Sequence, residues 1–292
     1  MQITDFPIEI IVHDDASTDD TAKKIKKYEE DFPDKLIPIY QTENQWSKGI
    51  KPSPIYVWPK ARGKYIALCE GDDYWTDPYK LQKQVDFLET HADYGLVHTD
   101  VEYVDPFSNP IPPPQGLHAN IRERVFNGHI FDYYLNHQAF ILTVSCMFKK
   151  CLLDMDGARQ WFVYDQWLIM EIARKSKVYF IPEKTCAYRR NPDGLMMSNQ
   201  AYIQTRAPYA LLDQLVRFYD KKSQTLKYYL ENPQVEKEIV KCYTKLLYGY
   251  CMGRLKNRQQ LAAILKKNLR FMFKIPLCAI GILFKKVTLT KP

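Results

Sequence analysis

Three acidic side chains stand close together at one point of the chain, where Glu70, Asp72 and Asp73 follow the apolar segment 65–69. Carboxylates at this spacing repel one another unless they are solvated, protonated or share a cation. Mg²⁺ and Mn²⁺ prefer oxygen ligands of this kind and complete their coordination with substrate phosphates. The group therefore predicts a divalent cation site. The alternative is that these acids cap the following helix, although Asp77 can fill that role alone.

Two further acids, Asp14 and Asp15, follow a second apolar segment at residues 7–13. Both segments are short apolar runs that end in polar turn residues, which is typical of buried strands in a parallel sheet. Ligands of open α/β sheets bind beyond the carboxyl ends of such strands, so we expect the two acidic groups to meet at one sheet edge. Asp15 would accept hydrogen bonds from a base or ribose, and Asp72 would hold a cation between two phosphates.

The surrounding pattern places these strands in an α/β domain. Ser17 or Thr18 can cap a helix after Asp15, and a strand at 36–40 completes a β-α-β unit, which implies a parallel sheet. The other predicted elements are helices at 79–89, 126–137 and 161–176, strands at 94–99, 141–148, 177–181 and 185–189, and a loop or lid with five prolines at 105–116.

Two isolated residues extend the predicted site. Asp165 falls in the first turn of the helix at 161–176, where the helix dipole keeps a carboxylate ionised, as a general base for an acceptor hydroxyl requires. A helix cap is the alternative role for this residue. Arg62 lies near the acidic turn in sequence and is either a phosphate contact or a solvated surface charge.

The composition indicates a folded chain with one substantial core and an appendage, since 292 residues are 46% apolar. We expect a catalytic domain at 1–200 and a helical C-terminal region at 201–292, because strand patterns stop near residue 200. The seven cysteines show no C-x-x-C spacing, which predicts free thiols in a reducing compartment. The net charge of +7 is modest, and we expect no nucleic-acid partner.

The C-terminal tail combines an uncharged segment at 275–284 with lysines and arginines on both sides. A membrane-spanning helix needs about twenty apolar residues, so this segment is too short to cross. The pattern is typical of a segment that lies on an anionic bilayer, and it predicts a protein at the cytoplasmic face of the inner membrane. A helix docked on the core is the alternative.

Three segments in succession resemble the signatures of bacterial inverting family 2 glycosyltransferases. They are EIIVHDDASTDDT, ARGKYIALCEGDDYWTDPYKLQKQVDFLE and YDQWLIMEIARKSKVYFIPEKTCAYRRNPDGLMMS. The resemblance covers about residues 5–200. It implies an α/β fold of the GT-A type, with a mostly parallel, Rossmann-like sheet flanked by helices, and a nucleotide-diphosphate sugar as donor.

The resemblance also implies roles for individual residues. Asp15 would contact the nucleotide, Glu70 and Asp72 would occupy the metal and ribose positions of a D-x-D motif, and Asp165 would activate the acceptor. The predicted site thus consists of Asp165 as catalytic base, Asp72 and Glu70 at a Mg²⁺ or Mn²⁺ ion, and Asp14, Asp15, Ser17, Arg62, Glu70 and Asp73 against the nucleotide sugar.

The chain departs from the family pattern at several points. Glu70 replaces the first aspartate of the motif, Ala16 replaces a common glycine, and Asn191 stands where relatives often have a histidine, which puts a third metal ligand in question. The start, MQITDFPIEI, resembles the end of the family's first helix. We therefore expect the family's first strand to be lacking beside the strand that ends at Glu70, where unpaired backbone groups would remain in the core.

The leading hypothesis is transfer of a sugar, with inversion, from a nucleotide-diphosphate donor to a hydroxyl of a lipid-linked or surface-polysaccharide saccharide. A metal-dependent nucleotidyl or phosphoryl transferase is an alternative that shares the acids and the cation. It lacks support because no G-x-x-x-x-G-K loop occurs in the sequence. A third hypothesis is an impaired relative of the transferases that binds only a membrane or a partner.

Overall fold

The computed structural model describes residues 2–113, 127–131, 133, 139, 141–153 and 164–191. The chain divides into two compact units, and Met1–Phe131 with Ala139–Arg189 forms the first. All elements below belong to this unit. The predicted helix at 126–137 lies largely outside the described residues, and the helical region at 201–292 with its tail lies wholly outside them. Their structure and the boundary near residue 200 stay predictions.

A small parallel sheet opens the chain. β1 (Ile10–Asp14) and β2 (Leu36–Tyr40) pair in register along their whole length, and α1 (Thr21–Asp31) connects them. The β-branched residues at the start of β1 favour the strand. This confirms the predicted β-α-β unit. The helix begins later than expected, however, because the carboxylate of Asp19 accepts the backbone N–H of Thr21 at 3.0 Å, and neither Ser17 nor Thr18 is its N-cap.

A five-stranded sheet forms the body of the unit. Its strands lie in the order β3 (Tyr65–Ala67), β6 (Met147–Lys149), β5 (Tyr94–Val104), β7 (Lys177–Arg189) and β4 (Tyr74–Trp75). β5 and β7 are parallel, whereas β3 with β6, β5 with β6 and β4 with β7 are antiparallel. The α/β class is confirmed. The five-stranded sheet is mixed, with its longest pairing, β5 with β7, parallel and the shorter pairings antiparallel.

Two predicted strands at 177–181 and 185–189 form one strand, β7. Its pairing with β5 shifts register near Thr99 and Asp100, so the polar residues 183 and 184 are accommodated as an irregularity within the strand and do not break it. β5 is also longer than predicted and ends at Val104. β1 and β3 lie at the edges of two separate sheets, and the predicted lack of a strand beside the one that ends at Glu70 stays a prediction.

Helices cover the central strands. α2 (Lys80–Thr90) packs Leu81 and Leu88 against Val97 of β5 and Met147 of β6. α3 (Tyr164–Lys175) has a fully buried apolar face that includes Ile172. Among the helices that the structure describes, none is long and apolar enough to cross a membrane. The four described cysteines, Cys69, Cys146, Cys151 and Cys186, are free thiols.

Gly95 lies where β5 passes directly against the residues that follow α3. A Cβ atom at this position would lie 2.1 Å from Ser176 Oγ and 2.3 Å from Leu152 Cδ1. We expect Gly95→Ala to lower the free energy of unfolding by about 1–3 kcal/mol, as overpacking of a core usually does. Urea denaturation measures this loss. Gly71→Ala is the matched control, since a Cβ there meets nothing within 4 Å, and equal stability of the two variants would contradict the close approach.

Candidate active site

The acidic loop 70–73 joins β3 to β4. Its turn is closed by the backbone N–H of Asp73, which donates to the carbonyl of Glu70 at 3.1 Å. The hydroxyl of Thr143 donates to Glu70 Oε1, while Glu70 Oε2 is shielded from solvent and has no hydrogen-bond partner. Burial raises the pKa of Glu70, the Thr143 hydrogen bond lowers it, and the carboxylates of Asp165 and Asp72 raise it further. One oxygen of Glu70 is therefore fixed by Thr143, and the other is buried without a hydrogen-bond partner among the described residues.

Asp73, like Glu70, has one carboxylate oxygen in a hydrogen bond and one without a partner in the described part of the chain. Its Oδ1 accepts the backbone N–H of Arg189 at 2.8 Å, and its Oδ2 is shielded and without a partner. Burial raises the pKa of Asp73 to about 7, with further contributions from the charges of Glu70 and Asp72. Asp72 itself is exposed. The loop thus presents two unpartnered carboxylate oxygens beside a solvent-facing carboxylate.

Asp165 of α3 acts electrostatically on this loop. Asp165 lies in the first turn of the helix, and its charge is close enough to raise the pKa of Glu70. Asp165 is therefore within electrostatic range of Glu70, although the two are almost a hundred residues apart in sequence. Asp77 does not cap α2 as expected, because the N-cap is Tyr79, which has no side-chain cap bond. Asp77 Oδ1 accepts the backbone N–H of Tyr79 at 2.8 Å in the turn before the helix.

A divalent cation fits the acidic loop. Unpartnered oxygens on neighbouring buried carboxylates are costly to ionise, and a shared cation removes that cost. Within the described part of the chain, however, no three His, Cys, Asp or Glu side chains converge into a complete metal site. A cation held by Glu70 and Asp72 or Asp73 would therefore complete its coordination with water and substrate phosphates, as Mg²⁺ usually does.

The other predicted acids lie at the end of β1 and stabilise their own surroundings. Asp14 is buried, and its Oδ1 accepts the backbone N–H of Ser17 at 3.3 Å. The two oxygens of Asp15 accept the backbone N–H groups of Gln45 and Trp46, each at 2.9 Å. Asp15 therefore fixes the loop after β2, and its contact with a base or ribose stays a prediction.

Sequence reasoning missed a cluster of side chains beside Asp14. The rings of His13 and Tyr56 are stacked with centroids 5.8 Å apart, and His13 Nε2 lies 3.2 Å from Gln41 Nε2. Burial lowers the pKa of His13, which keeps the imidazole neutral at pH 7, although the nearby acids raise it. The available signal was a histidine in an otherwise apolar strand.

Arg62 does not lie at the acidic ends of the strands. Its Nε donates to Glu9 at 2.8 Å, and its side chain is 77% exposed. Glu9 precedes β1 whereas Asp14 ends it, and a strand advances about 3.3 Å per residue, so a whole strand separates the two. Arg62 is therefore removed from the proposed site, and the alternative of a surface charge is the better description.

The two acidic groups do not share a sheet. Asp14 ends β1 of the two-stranded sheet, while Glu70 follows β3 at the edge of the five-stranded sheet. The expectation that one sheet edge gathers both groups is therefore wrong for the described strands. Each group is well defined by itself, and the acidic loop with Asp165 forms the candidate active site.

Comparison with known proteins agrees with this description. A solved structure of Staphylococcus aureus TarS in complex with UDP-GlcNAc has a TM-score of 0.58 to this chain, at 16% identity, and the alignment covers 96% of this chain and 76% of that one. At this identity the likeness shows the fold alone, which is that of a GT-A glycosyltransferase. Residues 1–160, more than half of the chain, match the family described as glycosyl transferase family 2. The chain belongs to this family.

Individual relatives match this chain at modest identity and over part of their own length. An uncharacterised protein of Mycobacterium tuberculosis, Rv1520, is 33% identical over 207 residues, which are 70% of this chain and 56% of the relative. The chain thus spans about half the length of the curated relatives it matches most extensively. The Escherichia coli enzyme WfaP, named as a UDP-Glc:alpha-D-GlcNAc-diphosphoundecaprenol beta-1,3-glucosyltransferase, is 39% identical over 83 residues, or 28% of this chain and 30% of the enzyme.

Proposed function

We propose that this chain catalyses the transfer of a sugar from a nucleotide-diphosphate donor to a hydroxyl group of an acceptor, with inversion at the anomeric carbon. The observation that carries the proposal is the acidic loop, with its unpartnered oxygens on Glu70 and Asp73 and with the charge of Asp165 acting on Glu70. Family membership and the fold support the same reaction class.

Each residue has a role in this proposal. Glu70, Asp72 and Asp73 would hold a divalent cation that binds the donor diphosphate, and Asp14, Asp15 and Ser17 would contact the nucleoside. A bound Mg²⁺ or Mn²⁺ would neutralise the charge that develops on the leaving diphosphate. Asp165 accepts the proton of the acceptor hydroxyl as its oxygen bonds to the anomeric carbon and the bond from that carbon to the diphosphate oxygen breaks. Attack from the face opposite the leaving group inverts the configuration.

The acceptor is inferred from a relative, and the cellular location is inferred from that acceptor and from the basic tail. WfaP is named for transfer to a saccharide on a diphospholipid, which supports a lipid-linked saccharide as acceptor in polysaccharide biosynthesis. Such an acceptor lies at a membrane, and the basic tail around residues 275–284 suits attachment to an anionic surface. We therefore propose that the protein is peripheral to the cytoplasmic face of the inner membrane.

Calorimetric titration of the full chain with UDP or GDP, with and without Mn²⁺, tests the proposal. We expect binding that requires Mn²⁺, and we expect Glu70→Gln to weaken it by at least the roughly 10- to 100-fold that loss of an outer-shell partner of a metal costs. Glu89→Gln is the matched control, because Glu89 pairs with Lys64 on the surface of α2.

The alternatives give different outcomes in this experiment. Absence of binding at millimolar nucleotide would contradict the proposal and favour a partner-binding relative. Mn²⁺-dependent binding accompanied by pyrophosphate release from nucleoside triphosphates, with no sugar transfer, would favour a nucleotidyl transferase.

A further inference from the structure

Arg189, the last residue of β7, holds the acidic loop at two points. Its backbone N–H donates to Asp73 Oδ1 and its Nε donates to the carbonyl oxygen of Asp72, both at 2.8 Å. The first bond fixes one carboxylate oxygen, which leaves the unpartnered Oδ2 of Asp73 in a defined direction. The second bond fixes the backbone of the residue proposed to face the cation.

The same guanidinium reaches a second segment, the turn Asp105–Asn109 that follows β5. Arg189 Nη1 donates to the carbonyl oxygens of Asp105 at 3.1 Å and Pro106 at 2.8 Å, and to Ser108 Oγ at 3.0 Å. One side chain therefore joins two loops whose residues are more than thirty positions apart in sequence.

The Asp105–Asn109 turn is itself well braced. Asp105 Oδ1 accepts the backbone N–H groups of Phe107 and Asn109, each at 2.8 Å, and Asp105 Oδ2 accepts Asn109 Nδ2 at 2.9 Å. The turn therefore provides a fixed support. The guanidinium also lies over the ring of Tyr74, 5.5 Å from its centroid, which orients its plane.

We propose that Arg189 is a positioning residue for the sugar transfer, which holds Asp72 and Asp73 in the geometry that binds the cation and the donor diphosphate. This inference rests on the proposed function of the acidic loop. Among the described residues, the side chain of Arg189 donates only to carbonyl oxygens and to one hydroxyl oxygen. Its backbone N–H donates to one carboxylate oxygen of Asp73. It therefore acts through the loop and does not touch the reacting atoms.

The chemistry of arginine suits this role. A planar guanidinium donates in several fixed directions at once and stacks on an aromatic ring, whereas a lysine ammonium is a single point of charge on a flexible stem. Lysine at position 189 would keep the charge but could not span Asp72, Pro106 and Ser108 together. The Arg189→Lys variant therefore tests whether the shape of the guanidinium group is required in addition to its positive charge.

The test compares Arg189→Lys in the full chain with Arg174→Lys, a matched substitution of a partly buried arginine that pairs with Glu171 on α3. Measurements are Mn²⁺ and UDP affinity by calorimetry, kcat and the donor KM, thermal stability, and protease sensitivity of the Asp105–Asn109 turn. We expect Arg189→Lys to stay folded, to bind Mn²⁺ with UDP about 10- to 100-fold more weakly, and to become cleavable at the turn.

The outcomes distinguish this inference from the proposed function. A wild-type chain that binds no Mn²⁺ with nucleotide overturns both. A wild-type chain that binds, with Arg189→Lys showing only a lower Tm and unchanged affinity and kcat, overturns the positioning role alone. If Arg189→Lys fails to fold, Ser108→Ala removes one side-chain acceptor of the guanidinium, and a 2- to 5-fold loss of Mn²⁺ affinity is expected, whereas unchanged affinity contradicts the inference.

Discussion

Asp165→Asn is expected to lower kcat for sugar transfer by about 10²- to 10⁴-fold while donor binding remains, because an amide cannot accept the proton of the acceptor hydroxyl. Asp165 lies in the first turn of α3, and its charge contributes to the raised pKa of Glu70. Acceptor-dependent release of nucleoside diphosphate measures kcat, and calorimetry with UDP and Mn²⁺ measures donor binding.

The control for this substitution is Asp93→Asn. Asp93 is also a carboxylate of the same domain, but it pairs with Lys177 at 2.5 Å on the surface. We expect this variant to transfer sugar at the wild-type rate. Full acceptor-dependent turnover by Asp165→Asn would show that another group removes the proton.

The second large effect concerns Lys80, which is fully buried in the first turn of α2. Its Nζ donates to Gln84 Oε1 at 2.7 Å and lies 4.7 Å from the centroid of the Trp75 ring. Burial lowers the pKa of Lys80 to about 8, against smaller opposing effects of the neighbouring thiols and Asp77. Its ammonium is therefore held in the core with few polar partners for its charge.

The sign of the pH dependence follows from proton binding. Between pH 8 and about 10.4 the unfolded chain keeps the Lys80 proton and the folded chain has lost it, so this residue makes stability rise with pH. The full effect is about 3 kcal/mol. Cys146 acts in the opposite sense, because burial raises its pKa to about 12 and the unfolded thiol ionises first. The pH dependence of wild-type stability therefore does not by itself show the contribution of Lys80.

The difference in stability between wild type and Lys80→Met does show the contribution of Lys80, because the other titrating groups are shared by both proteins. We expect the stability of this variant, relative to wild type, to decrease by about 2 kcal/mol as the pH rises from 8 to 10, because only wild type gains from losing the buried proton. Urea denaturation at several pH values measures the difference. Lys26→Met on the exposed side of α1 is the control, and a pH-independent difference for Lys80→Met would contradict the assignment.

Local patterns in the sequence predicted most of the elements that carry the site. The apolar run before Glu70, the β-α-β unit at residues 7–40 and the helix with Asp165 in its first turn all depend on neighbours in sequence. For the same reason the acids themselves were found, since their spacing and their place after strands are local features. The antiparallel pairings of the five-stranded sheet were not predictable, because they are decided by pairing between distant segments.

The residues that sequence reasoning missed act through distant contacts. Thr143 binds Glu70 across more than seventy positions, and Arg189 binds Asp72 across more than a hundred. Lys80 gave no signal either, because lysine is ordinarily exposed and only the packing around Trp75 shows that this one is buried. Arg62 shows the converse error, since closeness in sequence to the acids placed it at the wrong end of a strand.

The irregular register of β7 has a consequence for how substitutions and insertions in this strand will be tolerated. Against β5, the strand gains extra residues between Ile181 and Cys186, and Arg189 follows only three positions later. Side chains alternate between the two faces of a strand, so one residue more or fewer in that interval would turn Arg189 to the opposite face. The length of the segment between Ile181 and Cys186 thus determines which face of the sheet carries the Arg189 side chain, whose Nε holds the carbonyl oxygen of Asp72 in the acidic loop.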